Sequence, residues 1–157
     1  RGYAHAAEIA PGDTVQLYSH LLPAREHLLE ALGGGPRILR DGIVSIEYES
    51  ERLSRSFAEE RHPRTAVGYS QNGEVLFLVV VDGRQPGYSV GMTLEELGKF
   101  MRTRLVDFTV AKENAYQALN LDGGGSTTMV VKDEVVNSPS DQMGERPVAN
   151  ALLVVSE

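Results

Sequence analysis

The sequence contains no cysteine and no tryptophan, and only 6% of its 157 residues are aromatic. The absence of cysteine excludes a disulfide framework and a thiolate zinc site. Lys and Arg number 15 against 22 Asp and Glu, so the formal net charge is -7. An acidic chain argues against broad nucleic-acid binding, which relies on basic patches. No apolar run reaches the roughly 18 residues that a membrane-spanning helix needs, so the sequence predicts no span.

The length and the 41% of hydrophobic residues fit one domain, which we predict over residues 1–157. The first residues lack both an initiating Met and the apolar segment of a signal peptide. We therefore expect a fragment or a processed product. Four histidines are scattered without paired ligand spacing, so we expect no histidine-bound metal. Asp82, Asp122 and Asp141 would suit a hard cation, but their spacing does not support one, and no cofactor is expected.

Strand patterns dominate the chain, and helical patterns are interspersed without a regular βαβα alternation. Hydrophobic periodicity and turn residues predict strands over 14–18, 37–40, 43–48, 65–69, 75–81, 118–122, 127–131, 135–136 and 148–155. They predict helices over 23–32 and from residue 93 to about 101, with a further helical turn over 111–117. We therefore predict an α+β domain with a mixed, mostly antiparallel sheet and a few packed helices.

Three local signals are specific. Asn72-Gly73 lies between two strand patterns and predicts a hairpin, and Asp41-Gly42 and Pro11-Gly12-Asp13 predict turns. Thr93 followed by Glu96 predicts a capping box at a helix start. The run 75–81 is apolar throughout, which predicts a strand buried on both faces.

The most unusual segment is Leu121-Asp-Gly-Gly-Gly-Ser-Thr127. Glycine is costly to order and weakens strands, so three glycines between two strand patterns have little structural reason, and we expect them to admit another molecule close to the backbone. Successive amides there form a potential anion nest, and hydroxyls add donors. Asp122 is a candidate general acid or base. The alternative is a tight turn in which Asp122 accepts hydrogen bonds from its own loop.

Arg64 and Arg84 stand at neighbouring ends of the two strands of the predicted hairpin, just before the first and just after the second. Two guanidinium groups that converge there would bind a phosphate in bidentate fashion. The alternative is that each pairs with a nearby acid, Arg64 with Glu60 and Arg84 with Asp82. His62 is either a general acid or base or a plain loop residue. A loop at 138–147 is dense in hydroxyls and charges.

Together these motifs resemble the phosphodiester glycosidase family. The resemblance rests on five segments in order, at 33–36, 62–68, 81–94, 118–129 and 145–151. The family pattern also has an upstream half with an Asn-Gly-Phe-Phe-like segment, which is missing here. The chain is therefore expected to be the C-terminal part of the family domain, and the missing part of the same protein is a candidate partner.

The resemblance implies hydrolysis of a sugar-1-phosphodiester at its glycosidic C1–O bond, outside the cytoplasm, on a sugar-phosphate or glycan substrate such as an exported polysaccharide. It implies that Arg64 and Arg84 bind the phosphate and that Asp122 or Asp82 is the catalytic carboxylate, as a base or a nucleophile. The implied substrate-binding residues, to which we add Asp141, are Thr65, Gly123, Gly124, Gly125, Ser126, Thr127, Asp141, Arg146 and Asn150.

Two other functions remain open from the sequence. A binding module would recognise phosphorylated envelope glycans in the same cleft without turnover. A purely structural domain would use the glycines only as turns.

Overall fold

The structure is a computed structural model that describes residues 10–14 and 31–155. The chain forms two compact units, Arg1–Ala31 and Leu32–Glu157. In the first unit the predicted turn at 11–13 is present, since the Asp13 amide donates to the Ala10 carbonyl at 3.1 Å. The strand predicted over 14–18 and the helix predicted over 23–32 lie, apart from their end residues, outside the described residues. The single domain over 1–157 stays a prediction.

The second unit is built on a five-stranded sheet in which every pair of neighbouring strands is antiparallel. The strand order is β2-β1-β5-β3-β4, and a separate hairpin pairs β6 with β7. The strands are β1 (Arg37–Arg40), β2 (Ile43–Val44), β3 (Arg64–Tyr69), β4 (Leu76–Val81), β5 (Gln117–Asn120), β6 (Val130–Val131) and β7 (Glu134–Val135). The helices are α1 (Arg55–Glu59), α2 (Leu94–Thr103) and α3 (Leu105–Phe108). The predicted α+β class with a mostly antiparallel sheet is confirmed.

Turn chemistry sets the two hairpins of the main sheet. Asp41 and Gly42 both have positive φ, 51° and 72°, and connect β1 to β2 as predicted. Gly73 (φ 75°) lies in the turn between β3 and β4. These two strands pair over six positions, from Arg64 opposite Val81 to Tyr69 opposite Leu76. The register places Arg64 and the segment after Val81 at the same end of the sheet.

The α2 helix covers one face of the sheet, and its start is the predicted capping box. The Thr93 hydroxyl accepts from the Glu96 amide at 3.1 Å, and the Glu96 carboxylate accepts from the Thr93 amide at 3.0 Å. Leu94, Leu97 and Met101 are fully buried and form the core with residues of β1, β3 and β5. These three positions follow helical spacing, so one face of the helix is buried against the sheet.

The prediction that the strand at 75–81 is buried on both faces is wrong. Leu76 and Leu78 are 54% and 39% exposed, whereas Phe77 between them is 4% exposed. Because β4 ends the strand order of the described sheet and α2 packs on one face only, alternate side chains of β4 point to an uncovered face.

Three other predicted elements differ from the structure. Residues 111–116 form no helix, and the local helix is α3, earlier in the chain. β2 ends at Val44 rather than continuing to Tyr48. Residues 148–155 form no strand, and Leu153 and Val155 are 80% and 85% exposed. An apolar run becomes a strand only if a neighbour pairs with it, and none of the described strands does.

Arg64 is the largest of the fully buried side chains, at 2% exposure. Its Nη2 donates to the carbonyls of Phe57 and Glu60, both at 2.8 Å, and its Nε donates to the carbonyl of Met92 at 2.9 Å. Its Cζ lies 5.2 Å from the centre of the Phe57 ring, within the range of a cation–π contact. One guanidinium thus joins the start of β3, the end of α1 and the segment before α2.

Arg64→Ala is expected to destabilise the fold by about 2–4 kcal/mol, because three carbonyls lose a charged donor and a cavity opens. Arg64→Lys keeps the charge but not the planar fork, so a smaller loss is expected. Urea unfolding at neutral pH measures both. Arg102→Ala, which removes an exposed arginine from α2, is the control and should change stability by less than about 0.5 kcal/mol. Equal stability of wild type and Arg64→Ala would contradict this account.

Candidate functional site

A cavity of about 260 Å³ opens where β3 begins, next to the glycine loop that follows β5. It brings together three arginines, one carboxylate and a run of glycine backbone. The lining residues are Phe57, His62, Pro63, Arg64, Arg84, Asn120, Asp122, Gly123, Gly124, Gly125 and Arg146. The segments at 62–64, 84 and 122–125, which the sequence analysis singled out, therefore meet in space. The roles predicted for these residues stay predictions.

Glycines make this convergence possible, because three segments approach the backbone of His62 and Pro63 too closely for a side chain. A Cβ at Gly83 would lie 2.7 Å from the Pro63 nitrogen, and one at Gly91 would lie 2.3 Å from the His62 carbonyl oxygen. A Cβ at Gly123 would lie 2.9 Å from the Pro63 carbonyl oxygen. The close approach that we expected from a second molecule at Gly123 is made here by the chain itself.

The next two glycines lie under side chains of this chain. A Cβ at Gly124 would lie 3.1 Å from Nη1 of Arg84, and one at Gly125 would lie 3.1 Å from Asp141 Oδ2 and 3.2 Å from Arg146 Nη1. The Gly124 amide donates to the Pro63 carbonyl at 2.9 Å. The Gly124 amide is therefore not free to bind an anion as part of the predicted nest. Residues Gly124–Ser126 form a single 3-10 turn.

Three arginines and one carboxylate line the cavity, so it carries an excess of positive charge. Among the ion pairs of the described residues, none involves Arg64, Arg84 or Arg146. Arg64 donates to the backbone carbonyl of Glu60, not to its carboxylate. The ion pairs considered from the sequence, Arg64 with Glu60 and Arg84 with Asp82, are thus not formed. Burial, and then the charge of Arg84, lowers the pKa of Arg64 to about 10, so Arg64 remains a cation at neutral pH.

Asp122 is the one carboxylate in the cavity lining. It is exposed, and none of the hydrogen bonds found among the described residues uses its carboxylate. The alternative in which Asp122 accepts hydrogen bonds from its own loop is therefore not what the structure shows. A carboxylate that lines the cavity without a hydrogen-bond partner among the described residues is available to act on a ligand.

Asp82, the other candidate carboxylate, does not line the cavity. Its Oδ1 accepts from Asn137 Nδ2 at 2.9 Å and from the Ser138 amide at 3.0 Å. Its Oδ2 accepts from the Tyr88 hydroxyl at 3.0 Å, and this contact raises the pKa of Tyr88. Asp82 therefore fastens the loop at 137–138 to the end of β4, and the structure brings only one of the two predicted carboxylates to the cavity.

The hydroxyls of Ser126 and Thr127, which were predicted to be donors, both accept hydrogen bonds from other side chains. The Ser126 hydroxyl accepts from Arg146 Nε at 2.9 Å and from Nη2 at 2.6 Å, which holds Arg146 at the cavity. The Thr65 hydroxyl donates to that of the buried Thr127 at 3.3 Å. Neither threonine lines the cavity.

The last two predicted substrate-binding residues lie differently. Asp141 does not line the cavity, although its Oδ2 would lie 3.1 Å from a Cβ at the lining residue Gly125. Asn150 is exposed and is not among the lining residues.

Asn120 is a cavity residue that the sequence analysis missed. It is 1% exposed, and its Nδ2 donates to the carbonyls of Gly35 and Leu121, both at 2.8 Å. Those two bonds fix the amide orientation, so Oδ1 points the other way, where no described group donates to it. Asn120 lies two residues before Asp122 at the end of β5. Because alternate residues of a strand share a face, this spacing is the signal in the sequence that could have placed Asn120 near Asp122.

Within the described part of the chain, no three His, Asp or Glu side chains gather as they would around a metal ion. None of the helices described is long and apolar enough to cross a membrane.

Comparison with known proteins supports the resemblance. A sequence profile of the phosphodiester glycosidase family matches residues 2–155. The bovine N-acetylglucosamine-1-phosphodiester alpha-N-acetylglucosaminidase is 30% identical over 130 residues, which cover 77% of this chain and 22% of the bovine protein. The chain thus spans about a fifth of the length of that relative.

Two solved structures are also similar. The catalytic domain of the zebrafish N-acetylglucosamine-1-phosphodiester alpha-N-acetylglucosaminidase, auto-inhibited by its pro-peptide, gives a TM-score of 0.56 at 30% identity and covers 75% of this chain and 37% of its own. A hypothetical protein from Synechocystis gives 0.53 at 27% identity and covers 68% and 18%. Because the family profile matches almost every residue, this chain belongs to the phosphodiester glycosidase family.

Proposed function

We propose that the protein hydrolyses the glycosidic bond of a sugar-1-phosphodiester, with the phosphate bound by arginines and Asp122 as the catalytic carboxylate. The observation that carries the proposal is that Arg64, Arg84, Arg146 and Asp122 line one cavity. Family membership supports the reaction type, and the bovine relative is named for the same kind of bond.

The electrostatics of the cavity favour an anion. Three guanidinium groups and one carboxylate leave an excess of positive charge, and no acid among the described residues pairs with the arginines. Desolvation of a cation is costly unless an opposite charge compensates it, and Arg64 is buried. A bound phosphate would supply that charge and would raise the pKa of Arg64 again. The fork geometry of arginine suits the oxygens of a phosphate.

The same charges would lower the barrier of hydrolysis. When the C1–O bond breaks, its electron pair leaves on the phosphate oxygen, and the arginines stabilise the extra negative charge. Water adds its oxygen to C1 and gives up a proton. Asp122 is exposed at the cavity and is the group we assign to accept that proton or to attack C1 directly. Because the leaving phosphate is a weak base clamped by cations, a strong general acid is not required.

The second candidate function is a binding module for phosphorylated envelope glycans. It is favoured by one observation, that Asp122 is the single carboxylate in the lining, whereas glycosidases usually use two. It shares the arginine cavity with the hydrolase and differs only in turnover. For either function we propose action outside the cytoplasm, on the basis of the family resemblance. We also propose the upstream half of the family pattern, in the same protein, as a partner.

The first prediction concerns anion binding in the full-length protein at neutral pH, measured by calorimetry with sulfate. Arg84→Ala and Arg146→Ala are each expected to weaken binding about tenfold, because each removes a charged donor from the cavity. Arg102→Ala removes an arginine of the same type from the exposed side of α2 and should leave the affinity unchanged. Equal affinities in all four proteins would contradict an arginine-lined anion site.

The second prediction separates the two functions. Asp122→Asn is expected to lower kcat on a sugar-1-phosphodiester by about 100-fold or more, because the amide neither accepts a proton nor attacks carbon. Sulfate affinity should stay the same or increase, since a negative charge is lost near the anion. Free sugar is assayed by chromatography alongside the calorimetry.

Undiminished kcat in Asp122→Asn would refute its assignment as the catalytic carboxylate. Binding of a sugar phosphate by the wild type with no release of sugar would favour the binding module.

A further inference from the structure

Arg84 is held in an unusual backbone conformation. Its φ is 58°, in the left-handed region that residues with a Cβ seldom adopt. Its guanidinium lies directly over Gly124, where an added Cβ would be 3.1 Å from Nη1 and 3.3 Å from Nη2. Strained backbone of this kind persists where surrounding structure determines it, often at functional sites.

His62 is the one described side chain to which the Arg84 guanidinium is hydrogen-bonded. Arg84 Nη2 lies 3.3 Å from Nδ1 of His62. A guanidinium has only donors, so Nδ1 must accept, and the imidazole proton of a neutral ring must be on Nε2. Nε2 in turn lies 3.6 Å from an Oε2 oxygen of Glu60, on the opposite side of the ring. Burial, then the charges of Arg64 and Arg84, lowers the pKa of His62, which favours the neutral ring that this contact needs.

The backbone of His62 is itself fixed. Its amide and carbonyl both pair with Met92, at 3.3 and 3.1 Å. Gly91 (φ 89°) packs so closely on it that a Cβ there would lie 2.3 Å from the His62 carbonyl oxygen. Arg64, two residues on, is anchored by its three carbonyl contacts. The ring therefore projects from a backbone segment that is held on several sides, beside an exposed cation of the cavity.

We propose that His62 is a positioning residue, which accepts a hydrogen bond from Arg84 and thereby holds its guanidinium toward the bound phosphate. This inference rests on the proposed function of the same cavity. A neutral acceptor suits the task better than a carboxylate, because it orients the guanidinium without cancelling the charge that the phosphate needs. The fold supplies such an acceptor at 3.3 Å and forms no ion pair with Arg84 among the described residues.

The test uses three substitutions of one residue in the full-length protein, with sulfate as the probe because its charge is constant between pH 6 and 8. His62→Ala removes the acceptor and is expected to weaken sulfate binding about fivefold. His62→Asn places an amide oxygen close to the position of Nδ1 and should restore most of the affinity. His62→Gln, which carries the same amide one methylene further out, is the matched control and should not restore it.

A double-mutant cycle then asks whether His62 acts through Arg84. In an Arg84→Ala background, His62→Ala is expected to cause no further loss of sulfate affinity, because there is no guanidinium left to orient. Nitrogen NMR of the imidazole should show the proton on Nε2 in the wild type.

Three results would overturn the proposal: sulfate affinity unchanged in His62→Ala, an equal loss with and without Arg84, or a ring protonated on Nδ1. A wild type that binds no sulfate would instead count against the proposed function of the cavity, so the two failures are distinguishable.

Discussion

The buried guanidinium of Arg64 is the interaction on which the rest of the site depends. It donates to carbonyls at the end of α1 and before α2, and it belongs to the first residue of β3. Carbonyls accept from its Nε and Nη2 but leave its charge uncompensated. The contacts that hold three segments together therefore also leave a buried positive charge, which favours binding of an anion at the cavity. Stability and binding are linked through one side chain, and removing it would affect both.

The glycines of this chain serve the same convergence. Gly83, Gly91 and Gly123 surround the backbone of His62 and Pro63 at distances that exclude a Cβ. Gly124 and Gly125 then give room to the side chains of Arg84 and Arg146. The glycine-rich segments are thus packing devices that bring charged side chains from distant parts of the chain into one place. Their relation to a ligand is indirect, through the arginines that they accommodate.

Much of the fold was predictable because its signals are local. The hairpins at Asp41-Gly42 and Gly73, and the capping box at Thr93, follow from a few adjacent residues. The exposure of Leu76 and Leu78 could not be predicted from the sequence. Whether an apolar strand lies at the end of a sheet depends on the order of all the strands. The strand predicted over 148–155 was wrong for a related reason, since an apolar pattern does not specify a pairing partner.

The site divides in the same way. The meeting of Arg64, Arg84 and Asp122 followed from strand ends and from the family resemblance. The hydrogen bonds of Asp82 to Asn137 and Ser138 did not, because they depend on a loop 55 and 56 residues further along the chain.

The left-handed backbone of Arg84 matters for protein engineering. Glycine at this position would relieve roughly 1 kcal/mol of strain or more while deleting the guanidinium. A screen for thermal stability alone would therefore tend to replace Arg84 by glycine and so remove a cation from the cavity. Stability and activity are thus opposed at this residue.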